Sequence, residues 1–265
     1  MNKKIKAVIF DWAGTTIDFG CFAPLHVFIE IFEKRGLSIT LEEARGPMGM
    51  LKKDHIREIL KMPRVAELWE NKFLKEASEE DVESLYADFE PSLMSSLKNY
   101  TKVIDGVLDV CKYLEEKEIR IGSTTGYTKE MMTVVAAGAK GNGYAPELII
   151  TADDTGSGRP APFMIFENMK RLNVFPPQSV IKVGDTVSDI LEGVNAGVWS
   201  VGVIKGSSVL GLNEEEYEAL TTEQRRQHHK EAKQIFRRAG ADYVLHDIKG
   251  LPQLISKINQ KLVKG

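Results

Sequence analysis

The chain has 265 residues, 43% of them hydrophobic and 28% charged, a composition that excludes an intrinsically disordered protein. Thirty-five Lys and Arg against 38 Asp and Glu leave a formal charge of −3 spread along the chain, so no basic field stands ready for nucleic acid. No apolar run approaches the roughly 18 residues of a membrane helix, and two distant cysteines, Cys21 and Cys111, exclude a disulfide framework and a structural zinc.

The first residues, Met1-Asn2-Lys3-Lys4-Ile5, lead straight into a strand-like run without the uncharged apolar stretch of a secretory signal. A cytoplasmic protein that engages neither nucleic acid nor membrane is expected. That first run, Ala7-Val8-Ile9-Phe10, stops at Asp11. From about residue 20 to residue 99 every periodic segment is helical, at 24–34, 41–45, 48–61, 65–75 and 79–96. Beyond residue 105, helical patterns at 106–117, 128–139, 163–172 and 187–196 alternate with short apolar runs. These runs are Ile119-Arg120-Ile121-Gly122, Leu148-Ile149-Ile150, Val180-Ile181-Lys182-Val183, Val201-Gly202-Val203-Ile204 and Tyr243-Val244-Leu245. Runs apolar on both faces read as parallel strands covered by helices. Gly197 stands where a helix-ending glycine belongs, and Pro160 and Pro162 mark a helix entry.

The pattern predicts an α/β fold, a doubly wound parallel sheet with an all-helical cap inserted after its first strand. The core is placed at 1–19 and 100–265 and the cap at 20–99, with two hinge strands near 19–24 and 97–101. The charged stretch 213–238 reads as a long solvated helix or helix pair. His228-His229 on it reads as two exposed imidazoles rather than a metal site.

Ligands of such sheets bind beyond the carboxyl ends of the strands. Four of those ends carry compatible groups: Asp11-Trp12-Ala13-Gly14-Thr15-Thr16, Ser123-Thr124-Thr125-Gly126-Tyr127, Gly158-Arg159-Pro160-Ala161-Pro162 and Gly184-Asp185-Thr186-Val187-Ser188-Asp189. Singly, each has a plain structural explanation: Asp185 as a helix cap, Thr125 as a turn residue, Arg159 as a surface ion-pair partner. Together they are the equipment for Mg²⁺ and a phosphoryl group. Carboxylates hold a hard cation, while hydroxyl, amide and guanidinium groups hold phosphoryl oxygens. The four segments resemble the four motifs of the haloacid dehalogenase superfamily, whose first-strand Asp attacks phosphorus, and the resemblance covers nearly the whole chain.

One position departs from that superfamily's Asp-x-Asp-x-Thr pattern. Its second Asp protonates an ester's leaving oxygen, and here the position is Ala13. Losing a general acid costs typically 10²–10⁴-fold. The chain is then either a disabled phosphatase or an enzyme whose leaving group is not an alkoxide. On a helical wheel of 48–61, Met48, Leu51, His55, Ile56, Ile59 and Leu60 share one arc, with Lys52 near its middle and Lys53 at its edge. An amine in apolar surroundings, one turn from a potentially cationic His55, has a depressed pKa and attacks a carbonyl. The alternative is a lysine that snorkels to solvent.

Asp11–Thr16, Pro47-Met48-Gly49-Met50-Leu51-Lys52 with His55, 122–127 and 158–162 together resemble the phosphonoacetaldehyde hydrolase family, Ala13 included. The resemblance implies hydrolysis of phosphonoacetaldehyde to acetaldehyde and phosphate, with Mg²⁺ and as a homodimer. It implies that Asp11 is the nucleophile and Lys52 the imine-forming amine. It implies Mg²⁺ ligands from Asp11, the main-chain carbonyl of Ala13 and Asp185, with Asp189 behind them, and phosphoryl contacts from Thr125, Gly126 and Arg159. His55 shuttles protons or keeps Lys52 deprotonated, and Met48, Tyr127 and Cys21 line the site or merely pack.

Overall fold

Strand β1 (Ala7–Phe10) is buried throughout and sends alternate side chains to opposite faces. Val8 and Phe10 join one apolar cluster, Ala7 and Ile9 another. That is why the run carries no polar residue. The structure, a computed structural model, describes residues 4–264. Met1, Asn2 and Lys3, the start of the segment read as lacking a secretory signal, lie outside the described residues, as does Gly265.

Five helices follow β1: α1 (Phe22–Glu33), α2 (Leu41–Arg45), α3 (Lys52–Leu60), α4 (Pro63–Phe73) and α5 (Glu79–Ser96). Ser78 opens α5 with a capping box to Asp81, and Glu79, Glu80 and Asp81 sit in its first turn, where their charge suits the helix dipole. Next come α6 (Val107–Glu116), β2 (Arg120–Thr124), α7 (Lys129–Gly141), β3 (Leu148–Ile150), the short α8 (Ala152–Thr155), α9 (Phe163–Arg171), β4 (Val180–Gly184), α10 (Val187–Ala196) and β5 (Trp199–Val203). The chain ends with α11 (Glu214–Ala219), α12 (Thr222–Arg238), β6 (Tyr243–Leu245) and α13 (Leu251–Lys264). The charged stretch 213–238 is thus a helix pair. Among the described residues no helix is long and apolar enough to cross a membrane.

The six strands are all parallel, in the order β3-β2-β1-β4-β5-β6. This is the doubly wound arrangement, and its direction reverses between β1 and β4, which opens a crevice there. Phe10 is in register with Ser123 of β2 and Val183 of β4. Asp11, Thr124 and Gly184 therefore leave the sheet at one level. One apolar cluster continues from the sheet through Trp12 and Ile17 into Phe28, Phe32, Ile56, Leu85 and Phe89 of α1, α3 and α5.

Two expectations need correction. No hinge strands form at 19–24 and 97–101: Phe22 begins α1, and Leu97–Tyr100 is a 3-10 turn. The connecting segments meet instead in one antiparallel bridge, Ile17 to Val103. The helix expected over 48–61 starts only at Lys52, because Pro47 and Gly49 (φ +88°) precede it. Met48 and Leu51 belong to the turn before the helix.

At the entry to α1, Asp18 (φ 51°) accepts hydrogen bonds from the amides of Phe22 (3.1 Å) and Ala23 (3.0 Å). Burial raises its pKa from 3.8 to about 7 despite those donors. Between these values the folded chain holds a proton that the unfolded chain has lost, so this group's contribution to stability disappears as pH rises through that window. The difference in unfolding free energy between the wild type and Asp18→Asn should move in the variant's favour between pH 4 and pH 7.5, by up to roughly 4 kcal/mol. Urea unfolding at the two pH values measures it, and a pH-independent difference contradicts the assignment.

Candidate active site

The turn after β1 places Asp11 at the mouth of the crevice, 5% exposed. Its amide donates to the Val183 carbonyl (2.9 Å), its carbonyl accepts from the Thr16 hydroxyl (3.1 Å), and one carboxylate oxygen pairs with Arg159 Nη2 at 2.7 Å. Gly14 is obligatory in this turn: its φ is +87°, and a Cβ there would lie 2.3 Å from Asp185 Oδ2. The Ala13 carbonyl accepts no hydrogen bond among the described residues.

Asp185 follows β4. Its Oδ1 accepts from the Thr15 hydroxyl (3.2 Å) and its Oδ2 from the Ser208 amide (2.8 Å). Asp189 sits one turn along α10. Its Oδ2 accepts from the Thr186 hydroxyl (2.6 Å) and amide (3.2 Å), closing a capping box, while its Oδ1 lies between Lys182 Nζ (2.8 Å) and Arg159 Nη1 (3.0 Å). Oxygens of Asp11, Asp185 and Asp189 all fall within 4.8 Å of one another.

Four buried carboxylates, these three and Glu192, face two buried cations, Arg159 and Lys182. The set is short of positive charge. Burial, then Asp11 and Asp189, hold the Asp185 carboxyl well above the usual range. Burial and Asp189 push Asp11 up, against the pull of Arg159 and Lys182. A hard divalent cation would supply the two missing charges, and carboxylate and carbonyl oxygens suit one. The residues present therefore fit a divalent metal.

Arg159 is only 3% exposed and fully engaged. Besides Asp11 and Asp189, it bonds Glu192 (2.9 Å), the Thr124 carbonyl (2.7 Å) and the Thr124 hydroxyl (2.8 Å), and it reaches the Gly49 carbonyl at 3.4 Å. Its planar fork is what allows this many simultaneous contacts. Sequence reasoning passed over three members of this group: Lys182, Glu192 and Thr124. A signal existed, because a lysine inside a strand buried on both faces must find anions within the protein.

The pocket beside Asp11 is lined by Ala13, Cys21, Met48, Gly49, Lys52, Thr125, Gly126, Tyr127, Arg159 and Thr186. Every predicted site residue except Asp185, Asp189 and His55 reaches it. Thr125 Oγ1 accepts from the Tyr127 amide (3.1 Å), which leaves its hydroxyl proton free, and the Gly126 amide has no partner among the described residues. Both can donate to an anionic oxygen. Gly126 also meets the turn before α3, since a Cβ there would lie 2.6 Å from the Met50 carbonyl oxygen and 3.0 Å from that of Gly49. Those are backbone atoms with no room to rotate away. Gly126→Ala should push the turn before α3 away from the end of β2, lowering the melting temperature and cutting kcat/KM about 100-fold per folded molecule, the scale of an ångström of misplacement. An unchanged kcat/KM contradicts this.

Lys52 opens α3 and is 5% exposed. Its ammonium lies 4.9 Å from the Tyr127 ring centroid and 5.9 Å from that of Phe28. Burial, the first of several causes, holds its pKa below the ordinary lysine value. Lys53 points away, pairing with Glu83 at 2.7 Å. His55, a potential cation in the sequence, has surroundings that disfavour its charged form. It is fully buried and stacked on Phe28 at 3.8 Å, and its Nε2 donates to the Ala44 carbonyl at 2.9 Å. Burial, with Lys52 beside it, holds its pKa well below the usual value. Cys21, in the left-handed region at φ 54°, keeps its proton because burial pushes the thiol up, and burial does the same to Tyr127. On α12, His228 and His229 are half-buried rather than exposed, and His229 contacts the Tyr217 hydroxyl (2.9 Å) and His246 (2.7 Å).

The haloacid dehalogenase-like hydrolase family model matches residues 5–197. The phosphonoacetaldehyde hydrolase of Bacillus cytotoxicus is 51% identical over 97% of this chain and 98% of its own length. The bifunctional phosphonoacetaldehyde hydrolase/aminoethylphosphonate transaminase of Clostridioides difficile is 49% identical over the whole chain, which spans 42% of that longer protein. Among solved structures, a phosphonoacetaldehyde hydrolase-like protein from Oleispira antarctica superposes with a TM-score of 0.96 at 36% identity, covering all of this chain and 96% of the other. With identity of this degree along the full length of a relative, the chain belongs to the phosphonoacetaldehyde hydrolase family of haloacid dehalogenase-like hydrolases.

Proposed function

We propose that the protein hydrolyses phosphonoacetaldehyde to acetaldehyde and phosphate, with Lys52 as the amine that activates the aldehyde and Asp11 as the nucleophile toward phosphorus. The observation that carries this reading is the placement of a buried, pKa-depressed lysine in the same pocket as Asp11, at a site where the position of the usual general acid is Ala13. A phosphonate's leaving atom is carbon. Protonating oxygen would not help it depart, whereas an iminium beside that carbon accepts its electrons.

In this mechanism neutral Lys52 attacks the aldehyde carbon, and loss of one water with uptake of one proton from solvent gives a protonated imine, the proton being returned when the product imine is hydrolysed. Asp11 attacks phosphorus through its carboxylate oxygen not paired with Arg159. The P–C bond breaks, its electrons pass into the iminium, and an enamine and an aspartyl phosphate result. One water cleaves the aspartyl phosphate to phosphate. Protonation of the enamine carbon and addition of a second water release acetaldehyde and free Lys52, so one water is consumed overall. Mg²⁺, when bound by Asp11, Asp185 and the Ala13 carbonyl, offsets phosphoryl charge. Asp189 is already engaged by Thr186, Lys182 and Arg159, which supports a role behind those ligands.

Thr125 and the Gly126 amide hold phosphoryl oxygens, and Arg159 fixes Asp11 for attack. His55, buried on Phe28 beside Lys52, is held toward its uncharged form, so it adds little positive charge next to the imine. The helices between β1 and α6 serve as the cap, whose closure excludes water from the imine. The test is stoichiometric: with Mg²⁺ present, acetaldehyde and phosphate should appear in a 1:1 ratio from phosphonoacetaldehyde. Ready turnover of phosphate monoesters with none of the phosphonate would overturn the reading.

A further inference from the structure

Lys182 is the buried charge that this mechanism does not use. It lies in the middle of β4, 1% exposed, and its ammonium contacts three acceptors: Asp189 Oδ1 at 2.8 Å, the Thr124 hydroxyl at 2.9 Å and Glu192 Oε2 at 3.4 Å. Each of these atoms also contacts Arg159, at 3.0, 2.8 and 2.9 Å respectively. The Thr124 hydroxyl in turn donates to Glu192 Oε2 at 3.0 Å. The two cations thus share one set of acceptors, and only Arg159 reaches onward to Asp11.

We infer that Lys182 is a positioning residue for the phosphoryl-transfer step, acting through Arg159. It fixes Asp189, Glu192 and Thr124 from below, so that the guanidinium has one resting place and Asp11 presents its unpaired oxygen in a single orientation. Without Lys182, Arg159 is the only side-chain cation left against Asp189 and Glu192 among the described residues. The guanidinium is then drawn toward them and away from Asp11. The cage belongs to β2, β4 and α10, and Lys52 enters the pocket from α3. Imine formation is therefore independent of Lys182.

The inference rests on the two-residue mechanism above, and the experiment separates the two. Lys182→Met keeps the length of the side chain and removes its charge. Its kcat for phosphonoacetaldehyde should fall about 100-fold with KM within about threefold of the wild type. Borohydride in the presence of substrate should still attach the substrate carbons to Lys52 to the wild-type extent. Adding Glu192→Gln removes the excess negative charge, and the double variant should regain about threefold in kcat over the single one while staying at least tenfold below the wild type. A purely structural lysine would instead lower folded fraction and trapping together and gain no kcat per folded molecule from Glu192→Gln. Wild-type kcat in folded Lys182→Met overturns the inference. If that variant does not fold, the double variant decides: kcat at the wild-type level overturns it, and a loss of tenfold or more with trapping intact supports it. Absence of trapping at Lys52 in the wild type would sink the mechanism and not this inference.

Discussion

Replacing Lys52 by Arg should abolish phosphonoacetaldehyde hydrolysis, with a loss of about 10⁴-fold or more, the scale seen when an enzyme loses its nucleophilic group. Arginine keeps the positive charge, but its guanidinium does not deprotonate in a protein and forms no imine. The substitution thus separates charge from nucleophilicity. If Lys52 served only to attract the phosphonate, Arg would preserve much of the activity. Lys52 is buried against Tyr127 and Phe28, with no carboxylate paired to it among the described residues, so its environment favours the neutral amine. Steady-state turnover of the purified variant, alongside its melting curve, measures the effect. Activity within tenfold of the wild type contradicts an imine at this position.

Asp11→Asn should be equally damaging, again by about 10⁴-fold or more. The amide is nearly the same size and can still accept from Arg159 Nη2, which the carboxylate meets at 2.7 Å. What it lacks is a nucleophilic anionic oxygen. The expected signature is selective: P–C cleavage stops, while the substrate still condenses with Lys52 and can be trapped there. The variant should also be no less stable than the wild type in the absence of metal, because it removes one of four buried carboxylates that face two buried cations. Substantial release of phosphate by this variant would rule out Asp11 as the attacking group.

Most of the fold and site is legible in the sequence for one reason. In a doubly wound sheet the chemistry sits where apolar runs stop, and Asp11, Thr125, Arg159 and Asp185 all follow such stops. The register that aligns Phe10, Ser123 and Val183 turns that list of strand ends into one site. Other features are set by tertiary contacts. Lys182 counts as one residue of a strand in a periodicity scan, and only strand order shows that it meets Asp189 and Glu192. Glu192, three residues beyond Asp189, reads as the polar face of α10 until Arg159 is placed against it. The wheel over 48–61 places Lys52 on the apolar face although the helix begins at Lys52 itself, and Met48 before it is buried as Ile56 and Ile59 of the helix are. The surroundings of His55 are hidden from the sequence, since no pattern reveals that its ring is sealed between Phe28 and the Ala44 carbonyl.

The central claim is that a buried amine of α3 becomes covalently attached to the substrate before carbon leaves phosphorus. Borohydride reduction during turnover, followed by peptide mass spectrometry, tests it most directly. The account predicts irreversible inactivation that requires phosphonoacetaldehyde, with one added two-carbon group on Lys52 and none on Lys53. Inactivation with the adduct on another residue, or full activity after exhaustive reduction in the presence of substrate, would contradict it.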